Sequence, residues 1–254
     1  MSLLPSPLPA PIPTTAPLER PAALFVGNAL WLDFVNTRYV VRNQPVDVLA
    51  SFAALVEWLA ESGALSADDA RAAISRWDGT AEGAGVLMEA LALRDALRDL
   101  ADLFATGARA PQGRDRTGGR DDGAPAAMAS AVAAINGVLR ANVSFDELMP
   151  VPDQTGSVVR YARHARLTGS APLRLLAPLA DSASELLCGG DPSRVHRCGN
   201  PKCVLYFYDT TRNRRRLFCS PAGCGNRVKA AARYRRSRES GRAKLADRGG
   251  TRAE

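Results

Sequence analysis

Four cysteines in two evenly spaced pairs are the residues of this chain whose chemistry is easiest to specify. Cys198 and Cys203 enclose four residues, Cys219 and Cys224 enclose another four, and fifteen residues separate the pairs. Thiolates are soft ligands, and two short-spaced pairs across a loop let one chain close a tetrahedron around Zn²⁺. A gap of two is commoner within such a pair, but Asn200-Pro201 is turn chemistry that can bring the first two sulfurs together. Two disulfides, or four scattered core thiols, would use the same residues. The chain begins with no recognisable secretory signal, and reduced thiols then favour one structural zinc over disulfides. A fifth cysteine, Cys188, stands just upstream without electropositive neighbours and reads as inert rather than as a sensor thiol.

The residues around the pairs suggest how the sulfurs are positioned. Val204 to Tyr208 is β-branched and aromatic and reads as a strand. Asp209 to Asn213 is turn chemistry, after which Arg214 to Phe218 is expected to return as the second strand of a hairpin. Ser220 followed by Pro221 has the form of an N-cap and first helical residue, which puts Cys224 in the first turn of a helix to about Ser237. Knuckle, hairpin and a helix carrying the last ligand make a treble-clef-like arrangement. On that helix Lys229, Arg233 and Arg236 follow i, i+4, i+7 spacing as a basic face, while Cys224, Val228, Ala231 and Ala232 make a small-residue face.

The charge is lopsided. Residues 191–254 hold 17 Lys+Arg against 5 Asp+Glu, whereas residues 1–190 hold 16 against 21, within a chain of net charge +7. Arg212, Arg214, Arg215 and Arg216 cluster at the expected turn, and Arg227, Lys229, Arg233 and Arg236 follow on the helix. A solvated charged face would account for part of this. So strong an excess, interleaved with Tyr206, Tyr208 and Tyr234, favours a nucleic acid, most simply duplex DNA.

Cys224-Gly225-Asn226-Arg227, with Asp209-Thr210, Arg212-Asn213 and the trailing Lys229 and Arg-rich helix, resembles the CGNR zinc-finger family. Those bacterial proteins join the finger to an N-terminal ABATE domain and are described as stress-induced transcription regulators. Phe25 to Thr37, reading FVGNALWLDFVNT, is similar to that domain's glycine-to-LDFVNT opening. The resemblance implies coverage from about residue 22 to 238, zinc on the four cysteines and DNA on the basic finger. Pro221-Ala222-Gly223 and Leu217-Phe218 depart from the family's frequent residues but remove no ligand.

The elements that must carry the finger are expected in residues 22–190, a mainly α domain with a small β-sheet. Residues 1–21 hold seven prolines and read as a disordered leader, and residues 239–254 as a disordered tail. Apolar spacing predicts helices over 30–39, 47–61, 66–77, 84–104, 126–140 and 173–187. On the fourth of these, Arg94 and Arg98 with Asp95, Asp99 and Asp102 read as a solvated side. Residues 106–125 read as a flexible loop and 143–150 and 157–165 as two strands. Asp33, Asn36 and Thr37 either line a ligand pocket or form a satisfied polar network beside the core, the second being the commoner arrangement.

Sequence signatures of dinucleotide, phosphate-loop, zinc-protease and serine-hydrolase sites are absent, and the chain has 2 histidines. His196, close to Cys198, is expected to touch backbone or phosphate rather than metal. These observations point to a cytoplasmic, non-enzymatic DNA-binding regulator. Its N-terminal domain would sense an effector or mediate homo-oligomerisation. An RNA- or ribosome-associated protein, or an enzyme using a pocket around Asp33 and Asn36, are the competing readings.

Overall fold

The structure is a computed structural model and describes residues 22–107, 123–142, 144–153, 157–167 and 172–249. The expected leader and most of the expected 106–125 loop lie outside these. In chain order the helices are α1 (Leu30–Val35), α2 (Phe52–Glu61), α3 (Ala67–Trp77), α4 (Ala81–Gly107), α5 (Gly123–Ala141), α6 (Ala177–Gly189) and α7 (Asn226–Gly249). The strands are β1 (Arg38–Val41), β2 (Gln44–Asp47), β3 (Ser144–Pro152), β4 (Val158–Leu167), β5 (Val195–Arg197) and β6 (Tyr206–Tyr208). They form three separate antiparallel pairs, β1–β2, β3–β4 and β5–β6. The N-terminal region is thus mainly helical with small antiparallel sheets, and the C-terminal region has the strands and helix of a small finger. No helix among the described residues is long and apolar enough to cross a membrane.

Local signals explain most boundaries. Ser51 caps α2 by accepting the Ala54 N–H at 3.1 Å, and Gly63, with φ of +79°, turns the chain out of its end. Ser66 caps α3 through the Asp69 N–H at 3.1 Å, and its hydroxyl donates back to the Asp69 carboxylate at 2.6 Å.

Several elements differ from the expectation: α2 starts at Phe52 rather than at residue 47, which belongs to β2, and α7 runs through residues 239–249 of the expected disordered tail. The first helix stops at Val35 instead of Tyr39, because Thr37 donates its hydroxyl to the Phe34 carbonyl and the chain leaves as a hairpin. Arg42 and Asn43 make its tight turn at φ of +49° and +64°, a two-residue connection whose twist suits paired strands. In the finger, Tyr206–Tyr208 pairs backward with Val195–Arg197, not forward with residues 214–218. The Arg214–Phe218 segment is irregular because its backbone bonds elsewhere, the Arg216 N–H to the Asp209 carboxylate and the Leu217 carbonyl to the Gly199 N–H.

α4 is the central rod and packs on α1, α2, α3 and α5 as well as on the finger strand β5. One apolar core runs through both halves of the chain. Trp31, Leu32, Phe34 and Val35 of α1 join Leu93, Leu97 and Leu100 of α4, Leu179 and Ala183 of α6, and Val195, Tyr206 and Phe207 of the finger. The solvated side expected for α4 holds for Asp95 and Asp99, but not for its arginines. Arg94 is 3% exposed and makes a two-pronged pair with Asp47 at 2.7 and 2.6 Å, plus a bond to the Thr37 hydroxyl at 2.9 Å. Arg98 donates to the carbonyls of Val35 at 3.0 Å and Val204 at 3.3 Å, lying over the Tyr206 ring. A guanidinium with a carboxylate or carbonyl in its plane can be buried at a contact where a lysine could not be satisfied.

Candidate metal centre and basic surface

β5 and β6 run side by side, and the first cysteine pair sits in the connection between them. The Cys198 N–H extends the ladder to the Leu205 carbonyl at 2.9 Å. Asn200 then folds the knuckle: its carbonyl accepts the Cys203 N–H at 2.8 Å and its side-chain oxygen accepts the Lys202 N–H at 3.1 Å. The second pair is delivered by the next turn and helix. Ser220 caps the turn Pro221–Gly225 by accepting the Gly223 N–H at 3.0 Å, and that turn leads directly into α7. It is a wide π-type turn, so Cys224 sits just before the α-helix rather than in its first turn.

The four sulfurs converge, all within 4.8 Å of one another. Cys203 and Cys219 are 3.8 Å apart and Cys219 and Cys224 3.7 Å. A tetrahedron with metal–sulfur bonds of about 2.3 Å has edges of about 3.8 Å, so the cluster already has the dimensions of a closed four-thiolate metal site. Donors surround it. The Cys219 N–H points at the Cys198 sulfur at 3.5 Å, and the Asn200 amide at that of Cys224 at 3.4 Å. Such donors favour thiolate over thiol.

The thiols cannot all ionise without a cation. The Cys219 thiol donates to Cys203 and holds that thiol down to about 5, against the cost of burial. Cys219 is pushed far up, because that same proton is shared and because it is buried among the other sulfurs. Burial likewise pushes Cys198 up. A divalent ion removes this conflict by replacing the shared protons, which is the chemistry the donor set is built for.

The finger is tied to the N-terminal domain by the polar residues of the first motif. Asn36, 1% exposed, donates its amide to the Tyr206 carbonyl at 2.8 Å and accepts the Tyr206 N–H at 2.8 Å. Gly27 accepts the Tyr208 N–H at 2.7 Å and donates its own N–H to Asp33 at 2.7 Å. A Cβ on Gly27 would meet the Asp33 nitrogen and the Leu32 Cβ at 2.8 Å, so only glycine fits there. Burial raises the Asp33 carboxyl to about 6, despite bonds from the backbone of Gly27 and Val26 and the nearby Arg216. Thr37 is enclosed by the Phe34 carbonyl and Arg94. Asp33, Asn36 and Thr37 are therefore all engaged with the protein's own groups.

The eight cations singled out from sequence separate into two kinds. Arg212, Arg215, Arg227, Lys229, Arg233 and Arg236 are exposed. Arg214 is also exposed, turns at φ of +52° and pairs with Asp191 at 3.1 Å. Arg216 is different: it is half-buried and donates to the carbonyls of Phe218 at 3.0 Å, Val26 at 2.9 Å and Cys219 at 2.5 Å. Its guanidinium also lies over the Phe207 ring at 4.3 Å. Arg216 is a strut between the metal loop and the N-terminal domain, with its donors turned inward.

Asp209 completes the loop. Burial opposes its charge, but the Thr211 hydroxyl and N–H and the Arg216 N–H outweigh it and hold the carboxyl below its usual range. Sequence reasoning placed Asn200 and Asp209 in turns, which they form, but missed the bond from Asp209 to the Arg216 backbone and the role of Arg98 as a framework residue. Asp209 two positions before Thr211 is the spacing of a side-chain turn. Helix α7 continues past the expected end at Ser237 to Gly249.

Comparison with known families places these parts. A model named ABATE and described as "Putative stress-induced transcription regulator" matches residues 28–190. A second, the CGNR zinc finger, matches residues 194–237. No curated protein matches the chain.

Proposed function

Because the chain belongs to the ABATE family and ends in a CGNR zinc finger, we propose that it is a zinc-stabilised, DNA-binding transcription regulator. The observation that carries the reading is the exposed cation surface anchored on the four-cysteine centre. Arg212 and Arg215 on the loop, and Arg227, Lys229, Arg233 and Arg236 on α7, are presented by elements whose ends the metal would fix. Zinc on Cys198, Cys203, Cys219 and Cys224 would be structural, since four thiolates leave no open coordination position for a substrate. In this reading the chain is a cytoplasmic binding protein rather than an enzyme, and the N-terminal domain braces the finger. An effector or a second copy of the chain would then act through that brace.

RNA is the second reading, favoured by one observation: Tyr234, 65% exposed among arginines, is a ready stacking surface for an unpaired base. Binding of the full-length, zinc-loaded chain to duplex DNA and to structured RNA, each across a salt series, separates the two. The expected result is preference for the duplex, with log affinity falling by about 0.9 per log unit of salt for each phosphate neutralised. Weak binding indifferent to salt would defeat the nucleic-acid reading altogether.

A further inference from the structure

The first thirteen residues of α7 carry three distinct surfaces. At about 100° per residue, Val228 and Ala232 share the half-buried side that faces the finger. Opposite them the short side chains of Asn226, Ala230 and Ser237 make an exposed ridge, with the exposed Tyr234 at its edge. Lys229, Arg233 and Arg236 run along one flank of that ridge, and Arg227 and Arg238 stand on the other. Arg238 lies across the Tyr234 ring at 5.8 Å, which holds it beside the ridge. A surface depression lined by Asn226, Lys229, Ala230 and Arg233 marks where the ridge meets the first flank.

Beyond Ala232, every described side chain as far as Arg238 is exposed, and the close packing of α7 is against the turn Pro221–Gly225. The helix therefore projects from the metal centre. Short side chains at Asn226, Ala230 and Ser237 let the helix axis come close to the floor of a groove, with Arg233 and Tyr234 at the two edges of the strip.

We propose that α7 lies in the major groove of duplex DNA, with the ridge toward the base edges and the two cationic flanks toward the phosphates of opposite strands. This rests on the DNA-binding reading above and specifies the element and the groove. The B-form major groove is about 12 Å wide and admits a helix of about 10–12 Å diameter. The minor groove, at about 6 Å, does not, and the deep, narrow major groove of A-form RNA excludes it as well. Asn226, at the metal-proximal end of the ridge, supplies the amide that can pair with the N6 and N7 positions of adenine.

The test uses the full-length, zinc-loaded chain and a mixed-sequence duplex. Dimethyl sulfate methylates guanine N7, an atom of the major-groove edge. The bound chain is expected to protect it, and netropsin, a minor-groove ligand, is expected to leave binding unchanged. Ala230→Trp is expected to weaken duplex binding by about tenfold or more, the equivalent of about one good base contact, with zinc content and melting temperature unaltered. Salt-sensitive binding with unprotected N7, displacement by netropsin, or an indifferent Ala230→Trp variant would overturn the groove assignment while the DNA-binding reading stands. Failure of the unmodified chain to bind duplex in a salt-dependent way would defeat both.

Discussion

Asn36 turns both ends of its amide to the backbone of Tyr206, so truncating it strands a buried N–H and a buried C=O together. Asn36→Ala is expected to cost about 2–4 kcal/mol, since each unmet buried group costs about 1–3. The measurement is the chemical-denaturation midpoint. Asp33 gives a prediction in pH. Burial raises its carboxyl to about 6 from an ordinary 3.8, so the folded state binds the proton more tightly than the unfolded chain. Ionisation is then a penalty that is absent below pH 4, grows between about 4 and 6, and is fully present above. Asp33→Asn keeps the acceptor for Gly27 and is expected to raise the melting temperature at pH 7.5, the gain vanishing below about pH 4. A gain independent of pH would contradict this account. The types of these residues were legible in the sequence, but their partners were not. No local pattern can say that Asn36 meets a backbone 170 positions later.

α7 and the loop before it show how similar arginines part company once an element is built. Arg233 stands on an exposed flank, whereas Arg216 is folded inward against three carbonyls and a ring. Arg233→Ala is expected to leave the melting temperature unchanged and make the salt slope of DNA binding shallower by about one unit. Arg216→Ala is expected to lower the melting temperature first, because the carbonyls of Val26 and Cys219 lose their shared donor. The reverse pattern in the two variants would refute the division. Long helices were legible because the 3.6-residue period repeats over several turns, and Ser66 and Ser220 carry the cap chemistry; the cap at Ser51 was missed, which put the start of the second helix at residue 47. β5 was missed because three residues are too few for alternation to register. β1–β2 was missed because Arg42-Asn43 lacks the glycine that usually marks a two-residue turn and Pro45 suggests a loop.

At the scale of the molecule the two family segments share one core, so the finger is not a pendant module. Val195, Tyr206 and Phe207 are buried with the side chains of α1 and α4. From sequence, loss of a ligand would be expected to unfold only the C-terminal segment. The shared core predicts instead that Cys203→Ser, or chelation, lowers the melting of the helical circular-dichroism signal itself. The shift is expected to be at least about 6 °C, given several kcal/mol of metal binding and about 2–4 °C per kcal/mol at this size. A helical transition that stays put while the metal is lost would show that the halves melt separately.

The strap in which Gly27 and Asn36 clasp Tyr206 and Tyr208 joins residues made at opposite ends of synthesis. At about 5–20 residues per second, a ribosome needs roughly ten to forty seconds to pass from one to the other. Throughout that interval Trp31 and Phe34 wait with one side of their pocket unfilled, an apolar surface open to chaperones or to neighbouring nascent chains. Closure comes only once the knuckle has emerged, and an ion gathering the four sulfurs would then also shut the opening left at the start. Scarcity of that ion during growth would therefore be felt first as a shortfall of correctly closed new protein. Copies already folded would keep theirs.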